Sequence, residues 1–168
     1  MVKHARMGEQ LILHEGIRLA PYLCTRGYWT IGVGFNFQTR GLAALEKAIG
    51  RKLSPRMQDL RITREEALLA LDADIDHYES EVVRLFPAYL KLNEVRQRVC
   101  LDMAFNMGYA AFGFKNTMKF IAAGDWSQAV QNMWKSKWAG QVGDGPGKRW
   151  DRADRLTKML LTGVDYVV

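Results

Sequence analysis

Strand-type alternation is confined to one stretch of this chain. Between Arg18 and Phe37 side chains alternate with the two-residue period of a β-strand, interrupted by Thr25-Arg26-Gly27, a hairpin-turn signal. In the second strand Trp29, Ile31, Val33 and Phe35 share one face, while Tyr28, Thr30, Gly32 and Gly34 share the other. One face of the ribbon is therefore bulky and apolar, and the opposite face nearly bare. Every other periodic segment is helical. The fold class that follows is α+β, with a small antiparallel sheet segregated in an N-terminal lobe and a mostly helical C-terminal lobe.

Ahead of the ribbon, Met7, Leu11 and Glu15 fall on one helical stripe, with Ile12 beside them and Gly16 as the stop. Behind it, a short amphipathic helix (Leu42, Leu45, Ala48, Ile49) ends near Gly50. Thr63-Arg64-Glu65-Glu66 is a capping box that opens a long helix closed before Pro87. That helix has a narrow apolar stripe of Ala67, Leu68, Leu71, Ile75, Tyr78, Val82 and Leu85, which suits an element bridging two lobes. Residues 95–107 are apolar around most of the circumference, as expected of a central buried helix. Further helices are expected over about 115–123, 126–135 and 148–162. The domain reading is one unit of 168 residues. Its N-terminal lobe spans about 14–62 and its connecting helix about 63–86. The C-terminal lobe spans about 87–168, with helix 3–14 packed on it.

Composition removes whole classes. With 48% hydrophobic and 25% charged residues the chain can bury a core and is not a disordered tail. No apolar run approaches the ~20 residues of a membrane span, so stable membrane insertion is not expected. Glu9, His14 and Glu15 interrupt the segment where a signal peptide would be apolar. The net charge of +6 is uneven: residues 115–168 carry nine basic and five acidic side chains. A cationic C-terminal third fits an anionic partner. The basic residues are dispersed and no nucleic-acid recognition motif is present, so nucleic acid is not the expected partner.

Cys24 and Cys100 are too few for a disulfide framework, and no Cys/His spacing resembles a zinc site. Asp72-Ala73-Asp74-Ile75-Asp76 imitates the start of a calcium loop, but His77 stands where glycine is needed, and the segment lies inside a helix. Gly143-Asp144-Gly145-Pro146-Gly147 lacks the Lys-Ser/Thr of a phosphate loop and reads as a helix connection. Trp126, Trp134, Trp138 and Trp150 are expected to pack a helical core.

Glu15 is the most informative candidate. A carboxyl in apolar surroundings resists ionisation because desolvation penalises its charged form, and a general acid at neutral pH needs that property. A helix-end glutamate is by itself more often merely solvated. The ribbon beside it supplies a low floor of glycines and the Thr30 hydroxyl, able to hold a water or a sugar oxygen.

Glu15-Gly16-Ile17-Arg18-Leu19, Tyr22 and Gly27-Tyr28-Trp29-Thr30-Ile31-Gly32-Val33-Gly34 resemble the phage-type lysozymes, muramidases of glycoside hydrolase family 24. The likeness continues through Ala48-Ile49-Gly50-Arg51, Asn106-Met107-Gly108, Gly113-Phe114, Asn116-Thr117, Lys135-Ser136-Lys137-Trp138 and Thr162-Gly163, almost the whole chain in order. The family's catalytic pattern is a glutamate, an aspartate nine positions later and a threonine six beyond that. Glu15 and Thr30 occupy the first and third positions, and Cys24 stands where aspartate is usual.

The resemblance implies a lysozyme-like fold and an endolysin that hydrolyses the β-1,4 bond between N-acetylmuramic acid and N-acetylglucosamine in bacterial peptidoglycan. Glu15, Cys24 and Thr30 would be catalytic, and Gly32, Phe114, Asn116, Thr117 and Asn132 would bind substrate. Arg152 would support the site by holding the N-terminal lobe near the glutamate. A Cys24 thiolate, favoured by Arg18 or Arg26, could serve as base, nucleophile or electrostatic stabiliser. Cys100 reads as a small core residue, and a Cys24–Cys100 bridge is not expected. No metal or cofactor is implied. The expected enzyme is a monomer made in the host cytoplasm without a signal peptide, which reaches the wall through a separate holin. Two other readings stay open at this level: a catalytically silent peptidoglycan-binding descendant, and a lytic transglycosylase.

Overall fold

The computed structural model describes residues 5–24, 27–147 and 150–166. The elements run α1 (Ala5–Glu15), β1 (Arg18–Leu23), β2 (Trp29–Gly32), β3 (Phe35–Asn36), α2 (Phe37–Arg40), α3 (Leu42–Ile49) and α4 (Arg64–Leu85). Then follow α5 (Glu94–Met107), α6 (Lys115–Ala123), α7 (Trp126–Trp134), α8 (Lys137–Val142) and α9 (Arg152–Thr162). The protein is α+β, with an antiparallel sheet of order β1-β2-β3 and helices elsewhere. The chain divides into two compact units, Met1–His77 and Tyr78–Val168, the division falling inside α4.

The first unit is built around the sheet. Ile31, Phe35, Leu45, Leu60, Ile62, Ala67 and Ala70 form its core, so the sheet, α3 and the first turns of α4 bury one another. The ribbon is not the two-stranded one that simple alternation predicts. Gly32 and Gly34 have φ of 64° and 71°, values that side-chain-bearing residues rarely adopt. They turn the chain at Val33-Gly34 and start a third strand, in which Phe35 opposes Ile31. Trp29 stays 42% exposed while Ile31, Val33 and Phe35 are buried, so the expected apolar face is only partly a core face. Asn36 then caps α2, its side chain accepting the Gln38 and Thr39 amides at 2.8 and 3.3 Å; this short helix escapes a reading based on periodicity.

The capping box at the head of α4 forms as expected. The Thr63 amide donates to Glu66 at 2.8 Å, and the Glu66 amide donates to the Thr63 hydroxyl at 3.2 Å. Leu85, assigned to the buried stripe, is exposed. Asp74 of the imitation calcium loop is buried in α4 and accepts from Arg40 at 2.7 Å. Burial pushes its carboxyl up to about 6 despite the opposing pull of that guanidinium.

In the second unit α5 is the buried helix that its composition predicts, capped by the Asn93 side chain on the Arg96 amide. Helix α9 packs on α5, α7 and α8 pack on α9, and α6 packs on α7. Helix α9 begins later than predicted: Asp151 is its N-cap, accepting the Asp154 amide at 3.1 Å, and residues 148–149 lie outside the described residues. Trp138 is buried and donates to Asn106 at 3.2 Å. Trp150, also expected in the core, is 49% exposed and instead meets Tyr166 edge-to-face.

Candidate active site

Glu15 is the final residue of α1, and its position is set by how that helix ends. Gly16, at φ 71°, donates its amide to the Ile12 carbonyl at 2.9 Å. The chain then leaves the helix and enters β1 three residues after the glutamate. Glu15 is half-buried at this junction.

Cys24 follows β1 directly. Its amide donates to the Tyr28 carbonyl at 2.9 Å and its own carbonyl accepts from Gly27 at 2.8 Å, which fixes the thiol at the closed end of the hairpin. The thiol is half-buried. Thr25 and Arg26, the predicted turn and one of its candidate cations, lie outside the described residues. Thr30 sits in mid-β2, only 3% exposed, and its hydroxyl donates to the Tyr28 carbonyl at 3.1 Å. With that hydrogen used, the Thr30 oxygen meets any further partner as an acceptor.

Tyr22 ties these residues together, and sequence reasoning had given it no role. It lies directly opposite Thr30 in the β1–β2 register, so both side chains leave the same face of the sheet. The Arg18 guanidinium lies over its ring, 4.3 Å from the centroid. The phenol is raised above its ordinary 10 by burial first and by the Glu15 charge second; Arg18 opposes this and Cys24 adds to it. Arg18 thus covers the ring, Thr30 stands across the strands from it, and Glu15 and Cys24 are near enough for their charges to act on it. A signal was present: Tyr22 and Cys24 have the same strand parity, so a face carrying one should carry the other. Gly32 is buried, and the space its side chain would take is bounded by Ile62 and Ala67 at 3.6 and 3.7 Å.

In the second unit Phe114 precedes α6 and is half-buried, Asn116 is exposed in its first turn, and Thr117 is buried. Asn132, on α7, donates back to the Gln128 carbonyl at 2.9 Å. Arg152, in the first turn of α9, is anchored by a residue the sequence did not flag. Its Nε and Nη2 donate to the same Asp102 oxygen at 2.8 and 2.7 Å, and Asp102 is fully buried on α5. Cys100, also on α5, is a core residue as expected, its thiol pushed up to about 12 by burial. Among the described residues no group of three or more His, Cys, Asp or Glu side chains is arranged to hold a metal ion, and no helix is long and apolar enough to cross a membrane.

A helix that leads straight into a small antiparallel sheet, in a chain otherwise helical, is a lysozyme-like α+β arrangement. The chain belongs to the phage lysozyme family, whose model matches residues 13–152. It is 32% identical over 94% of its length to the pre-baseplate central spike protein Gp5 of Enterobacteria phage T4, of which it spans only 28%. A probable T4-type lysozyme of Dictyostelium discoideum is 27% identical over 92% of this chain and 93% of its own. An endolysin of Acyrthosiphon pisum secondary endosymbiont phage 1 is 29% identical over 73% of this chain and 70% of its own.

Proposed function

We propose that this protein is a peptidoglycan hydrolase that cleaves the β-1,4 bond between N-acetylmuramic acid and N-acetylglucosamine. The observation that carries the reading is that Tyr22 stands opposite Thr30 in the sheet and feels the charges of Glu15 and Cys24, in a chain that belongs to the phage lysozyme family. Glu15 as the acid donates its proton to the leaving glycosidic oxygen as the bond to the anomeric carbon breaks. Water then supplies the new oxygen at that carbon, and the proton it loses goes to Cys24 as thiolate or back to the Glu15 carboxylate. A thiol in place of a carboxylate gives Cys24 more than one possible chemistry, and the product anomer assigns it. Inversion makes water the direct nucleophile; retention makes the sulfur the first nucleophile, released by water afterwards.

Phe114, Asn116, Thr117 and Asn132 would carry the glycan and its peptide stems, with Gly32 supplying backbone. Arg152, held by Asp102, would support the site. The cationic C-terminal third would favour an anionic wall. No metal or cofactor enters this chemistry. Host lysis, action as a monomer and release through a holin complete the reading.

Mass spectrometry of purified peptidoglycan after digestion tests it. Reducing N-acetylmuramic acid ends are expected from wild type, and none from Glu15→Gln. Anhydro-muramic ends would make the protein a lytic transglycosylase. Equal behaviour of wild type and Glu15→Gln would make it a silent wall-binding descendant.

A further inference from the structure

A water molecule held for attack needs two to four polar partners. Thr30, which could hold such a water, and Cys24, the candidate base, offer it little. Thr30 has its hydrogen on the Tyr28 carbonyl and can only accept. Cys24 brings a sulfur, a weak hydrogen-bond partner compared with a carboxylate. A site built this way lacks a strong donor.

The β1–β2 register supplies one. Tyr22 is the cross-strand partner of Thr30, and directly opposed side chains stand about 5 Å apart at Cβ. Its hydroxyl has no hydrogen-bond partner among the described residues. Its ring is held from above by Arg18 at 4.3 Å, a cation–π contact that steadies the ring and with it the position of the phenolic oxygen. We infer that Tyr22 is the donor, and Thr30 the acceptor, of a polar seat that holds the attacking water beside Cys24. Because the phenol stays above its ordinary pKa, the hydroxyl keeps its hydrogen throughout the neutral range. This assignment rests on the muramidase reading above and adds to it a residue specific for the nucleophile.

Soluble peptidoglycan fragments, with methanol added as a competing nucleophile, test the seat. Two quantities are read: kcat against KM, and the ratio of methyl glycoside to free sugar. Tyr22→Phe removes one oxygen and keeps the ring under Arg18. It is expected to lower kcat about tenfold, as befits one hydrogen bond, with KM within about twofold of wild type. The methyl glycoside share should rise, because the variant no longer favours water. Tyr22→Phe/Thr30→Val should lose no more than the worse single variant, since either change empties the same seat. Arg18→Gln, which keeps the hydroxyl but frees the ring, should move both readouts the same way by a smaller factor, and it serves if Tyr22→Phe does not fold.

A raised KM with unchanged kcat would assign Tyr22 to a sugar hydroxyl and overturn the inference. So would single losses that multiply in the double variant, or an unchanged product ratio. If Glu15→Gln is inactive while Tyr22→Phe matches wild type, the Tyr22 assignment alone fails. If wild type cleaves nothing, or Glu15→Gln cleaves as well as wild type, the muramidase reading fails with it.

Discussion

Two regions of this protein hold the same chemical inventory: one carboxylate, one arginine and one cysteine. Around β1 of the first unit these are Glu15, Arg18 and Cys24, with the acid and the thiol half-buried and Arg18 exposed over Tyr22. In the interior of the second they are Asp102, Arg152 and Cys100, all buried, with the ions paired at 2.7–2.8 Å. Residue type is nearly the same in the two places, and the surroundings differ. Burial locks the second set into structure, because an ion without its partner there is costly and a thiolate is excluded. Partial exposure leaves the first set open to a ligand.

Reactivity should separate the two thiols most. In the native protein one thiol per chain, Cys24, is expected to react with iodoacetamide near neutral pH. Cys100, pushed up to about 12, should lag by roughly three orders of magnitude, as the gap to an ordinary thiol implies. Peptide mapping of the alkylated protein checks this, and labelling of both thiols at similar rates would erase the contrast.

The ion pairs come next. Asp102→Ala strands the Arg152 guanidinium and should cost about 3–5 kcal/mol in urea unfolding. Arg18→Gln, whose cation lies on the surface, should cost less than about 1 kcal/mol. Equal losses would mean that the exposed stack is as structural as the buried pair.

Another buried carboxylate gives the comparison a pH axis. Asp74 is raised from 3.8 to about 6, by burial first, against the pull of Arg40. A raised acid binds its proton more tightly in the folded state. Its contribution is therefore fully present below about pH 3.8 and lost as pH rises through about 6. The difference in stability between wild type and Asp74→Asn should fall by up to roughly 3 kcal/mol over that window, at 1.36 kcal/mol per unit. A difference that stays flat from pH 4 to 7 would show Asp74 ionised throughout by Arg40. A purely local effect lies at the capping box, where Thr63→Ala should cost about 1 kcal/mol without altering thiol reactivity.

Local signals were easy to read in the chain. The capping box at Thr63 and the stop at Gly16 involve neighbours a few residues apart, and each forms as expected. The turn at Gly32-Val33-Gly34 was missed because it sits inside an unbroken alternation. Helix α8 was missed because six residues are too few to show a period. Trp150 was misplaced because an aromatic residue beside a helix start says nothing about which side solvent lies on.

The candidate site divides in the same way. Glu15, Cys24 and Thr30 were legible through resemblance, and their spacing follows from a helix end, a hairpin and a strand that the sequence encodes locally. Tyr22 took on meaning only when the register set it against Thr30, and Asp102 only when α5 and α9 brought it to Arg152 across 50 positions.

What the amino-acid order determined alone is where the longer helices lie, where several of them are capped or stopped, and which stretch forms the sheet. Those depend on hydrogen bonds and periodicities spanning a handful of residues. Which arginine finds which carboxylate, and which of two identical thiols is held back from solvent, was decided only by tertiary packing, because desolvation and charge pairing depend on neighbours that the chain brings together from afar.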